Sequence, residues 1–205
     1  MTSHFKLDFT FPHNYEVKLL SGAPPVHPVE KVHHYPVELE EGDRAGAWLR
    51  IVPRQGTLWT GFFALGFDSP QVVNAVCSCP DPDSLCAVVG GYAYVVEAID
   101  PGQWFRVEQR PVVDLRPLAR QGLLLFTGFT SISALGREGL KWTTGRLSWE
   151  GVSITGIADD KLTGLGWDAM SDKEVAFEVD LLTGKHTGGA RPGDALYPGR
   201  GEGTL

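Results

Sequence analysis

The chain has 205 residues, of which 42% are hydrophobic and 21% charged, and its formal net charge at pH 7 is −7. This length and balance are typical of one globular domain with a sizeable core and exclude a disordered chain. The negative charge argues against a general nucleic-acid binder, and 25 glycines with 14 prolines argue against a helical bundle.

The sequence lacks the features that direct a chain to a membrane or to secretion. No run approaches the about 20 apolar residues that span a bilayer, and the first residues contain no apolar segment of signal-peptide length. Cys77, Cys79 and Cys86 form an odd, clustered set that does not suit a disulfide framework. We therefore expect a soluble protein of the reducing cytoplasm that binds neither membranes nor nucleic acid.

The N-terminal region differs in composition from the rest of the chain. Its prolines fix backbone angles and interrupt any long element, at Pro12, Pro24, Pro25, Pro28 and Pro36. We predict that residues 1–45 form an extended arm, partly in strands, packed on a β-repeat domain of residues 46–190. Residues 191–205 are rich in glycine and proline and are predicted to be a surface tail.

From residue 47 onward, short apolar runs alternate with turn residues, a pattern typical of an all-β fold. The best helical candidate is a single turn near residues 69–75, capped by Asp68 or Ser69. The predicted strands are 48–52, 58–65, 72–77, 85–89, 92–99, 104–107, 112–115, 123–127, 131–135, 140–143, 152–157, 162–167 and 174–181.

One strand–turn–strand unit repeats within these strands. Residues 85–104 align with residues 123–142 at an offset of 38, so that Gly90 meets Gly128 and Trp104 meets Trp142. Residues 162–184 form a looser copy, and residues 48–65 are a candidate degenerate one. The pattern predicts antiparallel meander repeats, arranged either as a propeller-like stack or as a twisted β-sandwich.

The repeat resembles the blades of quinoprotein-type β-propellers over about residues 72–190. In residues 122–142 a strand reaching Gly128 is followed by a strand ending in Ala134-Leu135, a glycine turn and a strand ending at Trp142. Residues 180–184 resemble the Asp-x-x-Thr-Gly turn of such blades. The resemblance implies four-stranded blades, but propellers close with roughly 4–8 of them. Only three or four units fit here, so closure would require either a very small propeller or pairing with a second chain. An open propeller-like stack or a twisted two-sheet sandwich fits equally well, and no cofactor follows from blades alone.

Three residues are candidate metal ligands or catalytic groups near the N-terminal half of the domain. Cys79 lies in a Cys-x-Cys pair that lacks the second distant pair of a zinc site, although His33 and His34 could complete one in space. Buried apolar thiols and exposed loop histidines are the simpler interpretations, and we favour them. A nucleophilic Cys79 would need a nearby base, which the local sequence does not supply.

Asp168 is the carboxylate candidate, since it could join the histidines in a metal-dependent or hydrolytic site. It lies near Asp172 at a predicted turn, where aspartate is favoured because its side chain accepts hydrogen bonds from the nearby backbone. We favour this turn role. Walker, Gly-x-Ser-x-Gly and His-Glu-x-x-His motifs are absent from the sequence.

Trp149 and Trp167 stand beside turns and next to charged residues. Partly exposed tryptophan is a frequent binding hot spot, so these two residues are the partner-binding candidates, although packing alone would also explain them. We predict a non-enzymatic protein-interaction module, such as an adaptor or inhibitor-like binding protein. The alternatives are a hydrolase or metal-dependent enzyme whose residues come from separate turns, and a carbohydrate-binding module using both tryptophans.

Overall fold

The computed structural model describes residues 5–25, 30–38 and 45–190, and these residues form seventeen β-strands. None of them forms a helix long and apolar enough to cross a bilayer. The predicted tail, residues 191–205, lies outside the described ranges. The strands are β1 (Lys6–Asp8), β2 (Tyr15–Leu20), β3 (Lys31–Tyr35), β4 (Gly46–Pro53), β5 (Trp59–Ala64), β6 (Ala75–Ser78), β7 (Ser84–Val89), β8 (Tyr92–Glu97), β9 (Trp104–Arg106), β10 (Asp114–Leu118), β11 (Leu123–Thr127), β12 (Ile132–Gly136), β13 (Gly139–Thr143), β14 (Val152–Ala158), β15 (Lys161–Asp168), β16 (Lys173–Asp180) and β17 (His186–Gly188).

The strands belong to four sheets. Sheet I has the order β2-β4-β5-β3, sheet II β1-β6-β7-β8-β9, sheet III β10-β11-β12-β13 and sheet IV β14-β15-β16-β17. Sheets III and IV are antiparallel meanders of consecutive strands, and β6 to β9 form a third. Two strands of the N-terminal region pair in parallel, β1 with β6 and β3 with β5.

The sheets pack face to face in the order I, II, III, IV. Successive side chains of a strand point to opposite faces, so a strand that is apolar throughout can contribute to two cores at once. In β7, Leu85 and Ala87 face sheet I, whereas Cys86 and Val88 face sheet III. In β11, Leu124 faces sheet II, whereas Leu123 and Leu125 face sheet IV. This alternation explains why β11 is buried over its whole length and β7 over all but its first residue.

The indole N–H groups of two tryptophans form hydrogen bonds between neighbouring sheets. Trp59 of sheet I donates to the carbonyl oxygen of Ala98, just after β8, at 2.8 Å. Trp142 of sheet III donates to the carbonyl oxygen of Leu181, just after β16, at 2.9 Å. Both rings are almost completely buried, so each contributes apolar area and a satisfied polar group to the contact between sheets.

The prediction of an all-β fold of antiparallel meanders is confirmed, with the four stacked sheets arranged as in a propeller rather than as two layers. β6 begins at Ala75 rather than at residue 72, because the N–H of Val73 is bonded to the carbonyl of Val112 outside the sheet. The predicted helical turn is a simple turn, in which Ser69 Oγ accepts the N–H of Gln71 at 3.3 Å.

The connections between strands collect at two edges of the stack. In a meander, alternate turns lie at the same end, and the links between sheets II, III and IV start and finish at one of these ends. We call this edge the upper rim. It consists of residues 65–74, 90–91, 107–113, 128–131, 144–151 and 169–172 together with the adjoining ends of the strands.

Candidate functional site

Hydrogen bonds join the upper-rim connections of sheets II, III and IV into one surface. Ser131 Oγ donates to Gln109 Oε1 at 2.9 Å, which links the 107–113 connection to the 128–131 turn. The carbonyl of Thr130 accepts the N–H of Leu147 at 2.7 Å, and that of Phe129 accepts the N–H of Gly151 at 2.9 Å. Backbone and side-chain hydrogen bonds therefore join these connections into one continuous surface.

The two tryptophans that the sequence singled out meet on this rim. The backbone N–H of Trp149 donates to the backbone carbonyl of Trp167 at 2.9 Å, and the backbone N–H of Trp167 donates to Ser148 Oγ at 2.9 Å. Both side chains are half-buried. They lie close together because Trp149 belongs to the link between sheets III and IV, which passes the end of β15, where Trp167 lies.

The indole of Trp149 is covered by an arginine. The guanidinium carbon of Arg146 lies 4.2 Å from the centroid of the Trp149 ring. A cation in this position is attracted by the ring's negative face, a contact worth about 0.5–1 kcal/mol at an exposed site. Trp149 Nε1 is buried and donates to no acceptor in the described part of the chain. We call Arg146 and Trp149 the tryptophan site.

A second cluster of arginines and aromatic rings lies on the sheet II part of the rim. The guanidinium carbons of Arg106 and Arg110 lie 5.1 and 5.7 Å from the centroid of the Tyr92 ring. Phe67 meets the same ring edge to face, with 5.5 Å between centroids. We call Phe67, Tyr92, Arg106 and Arg110 the tyrosine site. Sequence reasoning did not identify it, because its members come from three separate segments.

His33 and His34 point to opposite faces of sheet I, because they are consecutive residues of β3. His33 packs against Trp59, and His34 packs against Trp48 and Phe62. Loss of solvation on burial, reinforced by the positive charge of Lys31, lowers the pKa of His33. The histidines therefore do not converge on one ligand.

Cys79 is buried in the core between sheets II and III. Burial raises its pKa well above the usual value, with further contributions from Cys77 and Asp81. The thiol is therefore protonated at neutral pH, and a protonated thiol is a poor nucleophile. Cys79 lines a cavity of about 270 Å³ beside the turn of residues 136–139, at the edge opposite the upper rim.

Asp168 is 2% exposed and lies at the end of β15 in sheet IV. Its carboxylate accepts the N–H of Ser171 at 3.2 Å and the Ser171 hydroxyl at 2.8 Å, which is the turn role expected for it. The metal candidates thus lie on three different sheets. Within residues 5–25, 30–38 and 45–190, no three His, Cys, Asp or Glu side chains are placed to hold a metal ion together.

Comparisons with known proteins find structural likeness alone, with low TM-scores and low sequence identity. No protein-family model and no curated protein matches the chain. A chain in the structure of S. cerevisiae Dbp5 bound to Nup159, Gle1, IP6 and ADP is similar over 96% of this chain and 56% of its own, with 13% identity and a TM-score of 0.38. The N-terminal domain of Nup159 is similar over 96% and 57%, with 15% identity and a TM-score of 0.35.

This chain therefore spans a little over half the length of both chains that it resembles. TM-scores at this level carry no argument about function.

Proposed function

We propose that the protein is a protein-interaction module, a rigid propeller-like scaffold that binds a protein partner on its upper rim. The observation that carries the proposal is the tryptophan site, where the exposed Arg146 lies on the half-buried ring of Trp149. Tryptophan and arginine are the residues most enriched in binding hot spots. Because both belong to a connection bonded to its neighbours, little conformational entropy is lost when they are contacted.

The enzymatic alternative lacks a comparable arrangement. Its candidates, His33, His34, Cys79 and Asp168, are separated among sheets I, II and IV, and the Cys79 thiol is held in its unreactive form. The carbohydrate alternative needs a free indole face, whereas Arg146 occupies one face of Trp149. The quinoprotein-type resemblance and the cytoplasmic location stay predictions and do not enter the proposal.

The proposal is tested by partner capture with matched tryptophan variants. Tagged wild type, Trp149→Leu and Trp48→Leu are expressed in the native cell, and co-purified proteins are quantified by mass spectrometry. Trp48 is the control because it is also a half-buried tryptophan but lies on the outer face of sheet I, against Phe62. Circular dichroism establishes that both variants are folded.

The expected result is a stoichiometric partner recovered with wild type and with Trp48→Leu, and reduced by about tenfold or more with Trp149→Leu, as removal of a hot-spot residue predicts. Light scattering shows whether that partner is a second copy of the chain. Equal recovery with Trp149→Leu, or no stoichiometric partner for the wild type, would contradict the proposal.

A further inference from the structure

The tyrosine site contains two positively charged groups on one aromatic ring. Arg106 and Arg110 are both exposed, and Tyr92 is half-buried, with its inner side packed on the core between sheets I and II. Phe67 is 44% exposed beside the ring. The site therefore combines an apolar base with two guanidinium groups that are open to solvent.

The backbone fixes the position of both arginines. Arg106 ends β9 opposite Tyr94, and the N–H of the next residue, Val107, donates to the carbonyl of Ala93 at 2.9 Å. At the other end of the connection, Val112 N–H donates to the carbonyl of Gly91 at 2.8 Å. The segment that carries Arg110 is thus bonded at both ends to the start of β8, and its geometry exists before any ligand arrives.

Neither guanidinium has an ionic partner in the described part of the chain. Arg106 and Arg110 form no ion pair with a described residue, as is also true of Arg54, Arg137 and Arg146, but they are the two that lie against the same aromatic ring. Each guanidinium can therefore pair with a carboxylate of a ligand. Guanidinium groups bind carboxylates with paired hydrogen bonds, and the Tyr92 ring beneath them reduces the competition from water for these bonds.

We propose that the tyrosine site binds an acidic peptide segment of the protein partner, with Glu or Asp carboxylates held by Arg106 and Arg110. This inference rests on the proposed function and extends it, because it assigns the chemical class of the partner. Local complementarity of charge favours this occupant, because two exposed arginines lie against one aromatic ring on the rim and have no ion pair among the described residues.

The test measures binding of a fluorescent peptide of alternating Glu and Ala by anisotropy at an ionic strength of about 0.1 M. Charges further apart than about 10 Å are then largely screened, which limits the repulsion between the peptide and a chain of net charge −7. A peptide of alternating Gln and Ala is the neutral control. The double variant Arg106→Gln/Arg110→Gln is compared with Arg120→Gln/Arg137→Gln, which removes the same charge from turns at the opposite edge. Tyr92→Leu tests whether the aromatic ring beneath the arginines contributes to binding.

We expect the acidic peptide to bind the wild type and the Arg120/Arg137 double variant with similar affinity. The affinity of the Arg106/Arg110 double variant for the peptide should fall by at least about tenfold, which is the effect of losing charge-assisted hydrogen bonds. The affinity of Tyr92→Leu should fall by less. Equal loss in both double variants, binding of the neutral peptide with the same affinity, or no binding by the wild type would overturn the inference. Tighter binding of a single-stranded oligonucleotide at Arg106 and Arg110 would also overturn it.

The two proposals fail in different ways. If capture depends on Trp149 but neither the partner nor the peptide responds to the Arg106/Arg110 double variant, the interaction module stands and the acidic-segment inference is wrong. If no partner depends on Trp149, the proposed function is wrong whatever the peptide does.

Discussion

Trp142 shows at the scale of a single residue how one sheet is held against the next. Its Nε1 donates to the Leu181 carbonyl at 2.9 Å, and its ring packs so closely on Gly184 that a Cβ there would lie 2.6 Å from it. Trp142→Phe would remove the donor and leave the carbonyl without its bond. We expect a loss of about 1–3 kcal/mol in the free energy of unfolding, measured by urea denaturation.

Trp48→Phe is the control for this change, because Trp48 lies on the outer face of sheet I rather than between two sheets. It should cost clearly less stability than Trp142→Phe. Equal losses for the two variants would contradict the assigned role of the Trp142 hydrogen bond.

Single residues also show where sequence reasoning reached the site and where it did not. Trp149 and Trp167 could be proposed because turn residues and charges flank them, and the structure does place them together. The tyrosine site could not, because Tyr92, Arg106 and Arg110 acquire their meaning only when two connections fold onto the start of β8. Pairing across such distances leaves no periodic signal in the chain.

At the scale of an element, β15 depends on glycine at the point where the link between sheets III and IV crosses it. A Cβ on Gly166 would lie 2.1 Å from the carbonyl oxygen of Leu147, a backbone atom that cannot rotate away. Gly166→Ala should therefore destabilise the protein by about 1–3 kcal/mol in urea denaturation, as overpacking does. It should also disturb the adjacent tryptophan site.

Gly22→Ala provides the matched comparison, because a Cβ at Gly22 would meet nothing within 4 Å. Its effect should stay within about 0.5 kcal/mol, as for an ordinary surface change. If Gly166→Ala were as mild as Gly22→Ala, the close crossing of β15 by the sheet III–IV link would be wrong.

Strands were easier to predict than their partners. Central strands such as β7 and β11 are apolar on both faces and bounded by turn residues, so the sequence located them within a residue or so. The parallel pairing of β1 and β3 was not predicted. Both strands are short, and their partners β6 and β5 are not their neighbours in the chain, so composition alone carries no information about the pairing.

At the scale of the whole molecule, the repeat and the functional surface are made by different residues. The repeat positions fill the three cores between the four sheets, whereas the tyrosine and tryptophan sites occupy the connections and the strand ends beside them. The scaffold could therefore be inferred from its periodicity. The binding surface required the arrangement of the connections, which hydrogen bonds such as Ser131 to Gln109 hold in place.

Hydrogen–deuterium exchange of the whole protein, with and without the saturating acidic peptide, tests most directly whether the upper rim is the binding surface. We predict slowed exchange in residues 65–74 and 107–113, with smaller protection in residues 144–151. Exchange in the turns at the opposite edge, residues 79–83, 119–122 and 136–138, should not change. Protection confined to those turns or to the outer face of sheet I, or no protection at saturation, would contradict it.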